Sequence, residues 1–197
     1  MNFLAHIFLS GDSALIKVGN FVGDWVKGSM ISINAKYPPE MAKGIRMHRY
    51  IDNFTDTNDI VINSIYRFKP ILGRYAGVAI DVIYDHFLAK NWNQYSNISL
   101  DNFVNTFYEY CIQYFDILPK NLQPLIPHLI ISNRLKSYET IKGISAAFKT
   151  MECQTSFPKK TNDIIEILKI NYTDIENEFG EFFEIIQKSI QKEFFNN

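Results

Sequence analysis

The stretch Ala76-Gly77-Val78-Ala79-Ile80-Asp81-Val82-Ile83-Tyr84-Asp85-His86-Phe87-Leu88 decides the fold class. Asp81 and Asp85 stand four apart, so on a helix both point the same way, with His86 beside them and apolar residues in nearly every other direction. Two like charges on one face repel, and burying an ionised carboxylate is costly unless it is paired, protonated or bound to a metal. A divalent cation removes both problems.

Two neighbouring stretches repeat the geometry. In Gly44-Ile45-Arg46-Met47-His48-Arg49-Tyr50-Ile51-Asp52-Asn53-Phe54-Thr55-Asp56, His48 and Asp52 share a face, and Asp56 extends the row if the helix persists. Asn20 and Asp24 form a third row in Gly19-Asn20-Phe21-Val22-Gly23-Asp24-Trp25-Val26-Lys27-Gly28. Packing three such faces together would build one internal site from oxygen and imidazole ligands, a set that suits Mn, Fe, Mg or Zn. His6, in Asn2-Phe3-Leu4-Ala5-His6-Ile7, reads equally as a further contributor or as a structural histidine. Any one row by itself has a plain reading as a solvated helix face, and Arg49 reads equally as a neutraliser of Asp52 or Asp56 or as a phosphate binder. His128, after Pro127, reads as a hydrogen-bonded core residue. The joint occurrence of three rows in apolar sequence raises the metal site to an equal footing with the plain reading.

Around these rows the chain is a succession of amphipathic helices without strand alternation, which predicts an all-α, single-domain bundle over residues 1–197. The expected helices are Ser13 to Gly28, Pro39 to Asn53, Asn58 to Lys69, Gly73 to Asn91, Leu100 to Phe115, Ser137 to Met151, Thr161 to Ile170 and Thr173 to Phe194. Thr57 or Asp59 is the expected cap of the third, and Pro119, Pro124 and Pro127 break the segment after Leu118 into short pieces. The last helix, with Ile175, Phe179, Phe182, Phe183, Ile186 and Ile190 at helical spacing, reads as packing. Hydrophobic residues at 47% and charged residues at 21% leave room for a large core and none for a long disordered tract. No apolar run is long enough to span a membrane, and Met1 to Leu9 lacks the basic start and cleavage site of a secretory signal, so the expected compartment is the cytoplasm. Cys111 and Cys153 have no metal or disulfide spacing and read as buried thiols. Residues 1–100 carry ten Lys or Arg against eight Asp or Glu, and burying several of those acids around a metal would leave a basic surface. That suits an acidic partner and is too slight for nucleic acid.

The opening Met1-Asn2-Phe3-Leu4-Ala5-His6, the stretch from Gly19-Asn20 through Asp24 to Gly28, the stretch from Gly44-Ile45 through His48-Arg49 and Ile51-Asp52 to Thr55-Asp56, and the stretch from Asp81 through Asp85-His86-Phe87-Leu88 to Trp92 together resemble the acyl carrier protein phosphodiesterase family, in order and spacing. The resemblance covers roughly residues 1–95; the other half is similar in length and helical character. It implies hydrolysis of the phosphodiester joining 4′-phosphopantetheine to a serine of holo acyl carrier protein. It also implies a distant likeness to metal-dependent phosphohydrolases named for a His-Asp ligand doublet, although residues 85–86 run in the reverse order. On this footing Asp24, His48, Asp52, Asp81, Asp85 and His86 form the expected pool of metal ligands and general acid or base, with Asp24 the first candidate base. His6 and Arg49 are further catalytic candidates, and Lys27, Arg46 and Arg49 are the candidates to hold phosphate or meet the acidic carrier protein. The expected cofactor is a divalent metal, Mn²⁺ first, with Mg²⁺ or Fe²⁺ as alternatives. Two other functions stay open at this point: a metal-dependent phosphohydrolase acting on a nucleotide or other small phosphoester, and a non-catalytic helical module that binds a protein partner.

Overall fold

A computed structural model describes residues 2–196, so Met1, the first residue of the opening block, lies outside the described residues. The described residues form twelve α-helices joined by short turns, with no strand. They are α1 (Phe3–Phe8), α2 (Ala14–Phe21), α3 (Met30–Lys36), α4 (Pro39–Asp56), α5 (Asp59–Leu72), α6 (Ala76–Lys90), α7 (Leu100–Gln113), α8 (Ile126–Ile131), α9 (Arg134–Ser137), α10 (Ile141–Gln154), α11 (Thr161–Ile170) and α12 (Tyr172–Ile190). Local chemistry sets most of the starts. The side chains of Ser13, Ser29, Asn58, Ser99 and Thr140 each accept a backbone N–H from the first turn of the helix that follows, and Pro39 opens α4 with its φ already helical. The cap of α5 is thus Asn58, between the two residues expected for it.

The all-helical expectation holds, with boundaries that differ where tertiary contacts intervene. α2 stops at Phe21, and Asp24 lies on a separate single turn, Gly23–Trp25, so Asn20 and Asp24 do not share a helix. The cause is packing at Gly23, where a Cβ would fall 2.1 Å from Cγ of His48. The chain must bend around that imidazole. In contrast α4 runs on to Asp56, which puts His48, Asp52 and Asp56 on one continuous row. The expected helix from Ser137 to Met151 is α10, which starts later, at Ile141, because Ser137 is the last residue of α9. The short helices α1 and α3 have too few turns to show a period in the sequence.

One hydrophobic core unites the helices. α6 lies inside it: from Ala79 to Ala89 every residue is buried except Asp81. This explains its apolar sequence, since a helix surrounded by others has no wet face to mark. α12 closes the core with Phe179, Phe182, Phe183 and Ile186, all fully buried, as the sequence predicts. Its Glu178 is not simply solvated, because it accepts both guanidinium nitrogens of Arg67 on α5 at 2.8 Å. For the site, the decisive contact is between α2 and α4. A Cβ on Gly44 would lie 2.3 Å from the Ile16 carbonyl oxygen and 2.7 Å from the Asn20 nitrogen, so only glycine lets these backbones approach. That approach places His48 beside Asn20. Of the two thiols, Cys111 is buried, and burial pushes it up to about 12, whereas Cys153 is exposed, contrary to expectation.

Candidate metal centre

Four elements converge on one cluster. α1 supplies His6, α2 supplies Asn20, the turn after α2 supplies Asp24, and α4 supplies His48 and Asp52. Nε2 of His6 lies 3.1 Å from Oδ1 of Asp52, and Nε2 of His48 lies 3.0 Å from Oδ2 of the same carboxylate and 3.3 Å from Oδ1 of Asp24. The two imidazoles are buried and stacked, with ring centroids 4.2 Å apart. One ligand atom each from His6, His48 and Asp52 can be chosen so that all three lie within 4.8 Å of one another.

Asn20 organises both rings. Its Nδ2 donates to the His6 carbonyl at 2.8 Å and to Ser10 Oγ at 2.9 Å, and Ser10 Oγ donates in turn to the same carbonyl at 2.7 Å. Because that carbonyl only accepts, the amide orientation is determined and Oδ1 must face the His6 ring, where it accepts from Nδ1 at 2.8 Å. The backbone carbonyl of Asn20 accepts from Nδ1 of His48 at 2.8 Å. Both rings therefore carry a proton on Nδ1 and turn Nε2 toward Asp52. Each Nε2 can then meet that carboxylate only through a second proton or a cation.

The protonation energetics agree with this requirement. Burial alone would lower His48, but its hydrogen bonds to Asp24 and Asp52 hold it up to about 9. Burial lowers His6, against the pull of Asp52. Burial also opposes the charge on Asp52, yet hydrogen bonds from His48 and His6 keep its carboxyl well below the usual range. Asp24 is lowered by its hydrogen bond to His48. One proton on His48 thus serves two carboxylate oxygens, Oδ1 of Asp24 and Oδ2 of Asp52, a position a divalent cation would fill. Imidazole and carboxylate with a hydrogen-bonded outer partner on each ring is the donor set of hard or borderline divalent metals, and the residues fit such an ion.

The cluster opens on a cavity of about 790 Å³. Asp24, Asp52, Asp56 and Asp81 line it together, with Phe3, Phe21, Trp25, Val78 and Val82. Asp56 is raised by burial and by Asp81 nearby. The far wall comes from α8, α9 and α10, including Ile126, Leu129, Arg134 and Met151. His128 is exposed on this wall instead of sitting in the core, correcting its plain reading.

Other expected site residues are placed elsewhere. Asp85 shares the face of Asp81 but lies one turn along it, where the face meets the start of α1. Its two oxygens accept the backbone N–H groups of Leu4 at 2.8 Å and Ala5 at 3.0 Å, and burial pushes the carboxyl up to about 7 despite those bonds. It caps a helix. His86 points away from the cluster, donating from Nδ1 to the Tyr138 carbonyl and accepting at Nε2 from the Tyr172 hydroxyl, both at 2.7 Å. With both ring nitrogens engaged, it has none for a metal. Arg49 donates to the Val26 carbonyl at 3.3 Å. Arg46 lies over the Phe194 ring, 3.6 Å from Glu193. Lys27 lines a second cavity of about 490 Å³ with Lys36 and Lys120, and Trp25 lines both cavities. Asn20 was legible only as part of a row, and Ser10 left no signal, because a hydroxyl in a turn has no periodic spacing.

Comparison with known proteins follows the same line. A family model described as acyl carrier protein phosphodiesterase matches residues 1–186. A Photorhabdus laumondii protein named acyl carrier protein phosphodiesterase is 30% identical, over 99% of this chain and 98% of its own. Proteins of the same name from Yersinia pestis (29% identical, 97% of this chain, 98% of theirs) and Klebsiella pneumoniae (31%, 93% and 94%) are similar throughout as well. No solved structure matches.

Proposed function

We propose, from the premise that this chain belongs to the acyl carrier protein phosphodiesterase family, that it cleaves the phosphodiester of holo acyl carrier protein at the His6, His48 and Asp52 cluster with a divalent cation held there. Family membership makes the chain a hydrolase and removes the reading as a non-catalytic module. The observation that supports the metal is the shared orientation of the two imidazoles, each locked through Nδ1 by Asn20 and each turning Nε2 to one carboxylate. When bound, the cation supplies Lewis-acid charge at the phosphoryl oxygens and lowers the pKa of water toward neutrality.

The chain's own groups do the rest. His6, His48 and Asp52 would hold the ion, with Asn20 and Ser10 keeping the rings in place. Asp24, at the cavity and 62% exposed, can leave His48 and take the proton of the attacking water. Asp81 and Asp56 share that wall and complete its acidic character. The bond from phosphorus to the serine oxygen breaks, the serine recovers a proton, and 4′-phosphopantetheine leaves as a monoester. The mixed imidazole and carboxylate donors suit Mn²⁺ or Fe²⁺ better than Mg²⁺, which prefers oxygen ligands alone. The test is the mass of holo carrier protein after incubation with the protein and Mn²⁺ or Mg²⁺. Loss of the arm with metal and none with chelator is expected. An intact carrier protein alongside phosphate release from a nucleotide panel would instead make the substrate a small phosphoester.

A further inference from the structure

We propose that Arg134 binds the non-bridging oxygens of the substrate phosphate, a role that rests on the phosphodiesterase reading. The electrostatic problem comes first. Four carboxylates, Asp24, Asp52, Asp56 and Asp81, line the cavity, and a phosphodiester anion entering it meets repulsion that one divalent cation at His6, His48 and Asp52 offsets only in part. Among the described residues, Arg134 is the single Lys or Arg that lines the same cavity. The three cations suggested by the sequence are engaged elsewhere or line the neighbouring cavity.

The side chain is held ready. Nη2 of Arg134 donates to Thr150 Oγ1 at 3.1 Å, and that hydroxyl donates to the Ala146 carbonyl at 2.9 Å, so the guanidinium is fixed by one N–H on a neutral partner. Among the described residues no carboxylate pairs with it, so its charge is not neutralised before an anion arrives. A guanidinium has five N–H donors in a planar fork that matches a phosphate edge.

The backbone delivering Arg134 is itself under constraint. Asn133 is the one described non-glycine residue with positive φ, at 43°, and the reversal there turns the chain from α8 into α9. Its Oδ1 is buried and lacks a hydrogen-bond partner among the described residues. Such costs persist where the surrounding structure holds them in place for a purpose. Here the reversal sets Ser132 and Arg134 on the cavity wall.

The test uses the full chain with Mn²⁺ and two readouts. In calorimetric titration with inorganic phosphate, Arg134→Ala should bind at least about tenfold more weakly than wild type, with Arg134→Lys between them. With holo carrier protein, Arg134→Ala should lose roughly 100-fold in kcat/KM, and added guanidinium at a non-denaturing concentration should restore part of it. Melting temperature and Mn²⁺ affinity should stay at wild-type values. Unchanged phosphate affinity in Arg134→Ala, no phosphate binding by wild type, or a loss that follows Mn²⁺ affinity or melting temperature would each overturn the assignment. If wild type binds phosphate through Arg134 yet leaves holo carrier protein intact, the anion site stands and the carrier-protein reading fails.

Discussion

At the scale of single residues, Asn20 and Asp85 show how identical-looking rows separate into different tasks. Asn20 holds two imidazoles, one through its side chain and one through its backbone, so Asn20→Ala should weaken Mn²⁺ binding by about 10–100-fold, the usual effect of removing a partner behind a metal ligand. Isothermal titration with Mn²⁺ checks it, and unchanged affinity would mean the ring needs no orientation. Asp85 caps α1, and Asp85→Ala leaves two buried amides unpaired at about 1–3 kcal/mol each. That loss should appear equally with Mn²⁺ and with chelator in thermal melts, while the metal-induced stabilisation survives. Asp52→Ala should show the reverse, little gain from metal and no hydrolysis. Asp85 also sets a pH dependence. Its carboxyl is raised to about 7 by burial and would ionise near 3.9 in the unfolded chain, so the stability it contributes is complete below about pH 4 and is lost as pH rises toward 7. Asp85→Asn has no such proton to lose. Denaturant titrations of the two proteins across this range should therefore show wild type losing ground to the variant as pH increases, and a constant gap would argue against the shift.

Among the elements, the contact of α2 with α4 carries the site. Gly44→Ala would drive a methyl group into the Ile16 carbonyl and the Asn20 nitrogen, and backbone has little freedom to yield. The helices must separate, which moves His48 from the Asn20 carbonyl. The expected result is a fall in melting temperature, from overpacking of about 1–3 kcal/mol, together with weaker Mn²⁺ binding. Retained metal affinity in a destabilised Gly44→Ala would show that the two helices do not share the task. α1 shows the opposite dependence. Six residues are too few for a stable helix alone, and no side chain of its own caps its start, so its existence rests on Asp85 from α6 and on burial of Leu4, Ala5 and Ile7. His6 reaches the cluster only because that docking succeeds.

For the whole molecule, the arrangement of charge around the two cavities bears on how a protein substrate would dock. Lys27, Lys36 and Lys120 line the smaller cavity, and Trp25 lines both cavities. Lys27→Glu should raise KM for an acidic carrier protein and flatten its salt dependence with kcat nearly unchanged, whereas Arg46→Glu, at a residue occupied with Phe194 and Glu193, should do little. Steady-state kinetics at low and high salt decide it, and equal effects from both reversals would remove the special place of the lysine-lined cavity. Much of this molecule was legible beforehand. The apolar run of α6 and the row of His48, Asp52 and Asp56 follow from helical spacing, which is a local rule acting over one or two turns. The same rule grouped Asp85 with Asp81 and Asn20 with Asp24, because spacing says which residues share a face and not what that face meets. Only the tertiary structure decided that Asp85 meets the amides of α1, that α2 breaks around the His48 ring, that His6 joins His48 and Asp52 in one cluster and that Arg134 comes from far along the chain to line the same cavity. Those outcomes depend on which surfaces pack against one another across the core, and the geometry of that packing is a property of all the helices together.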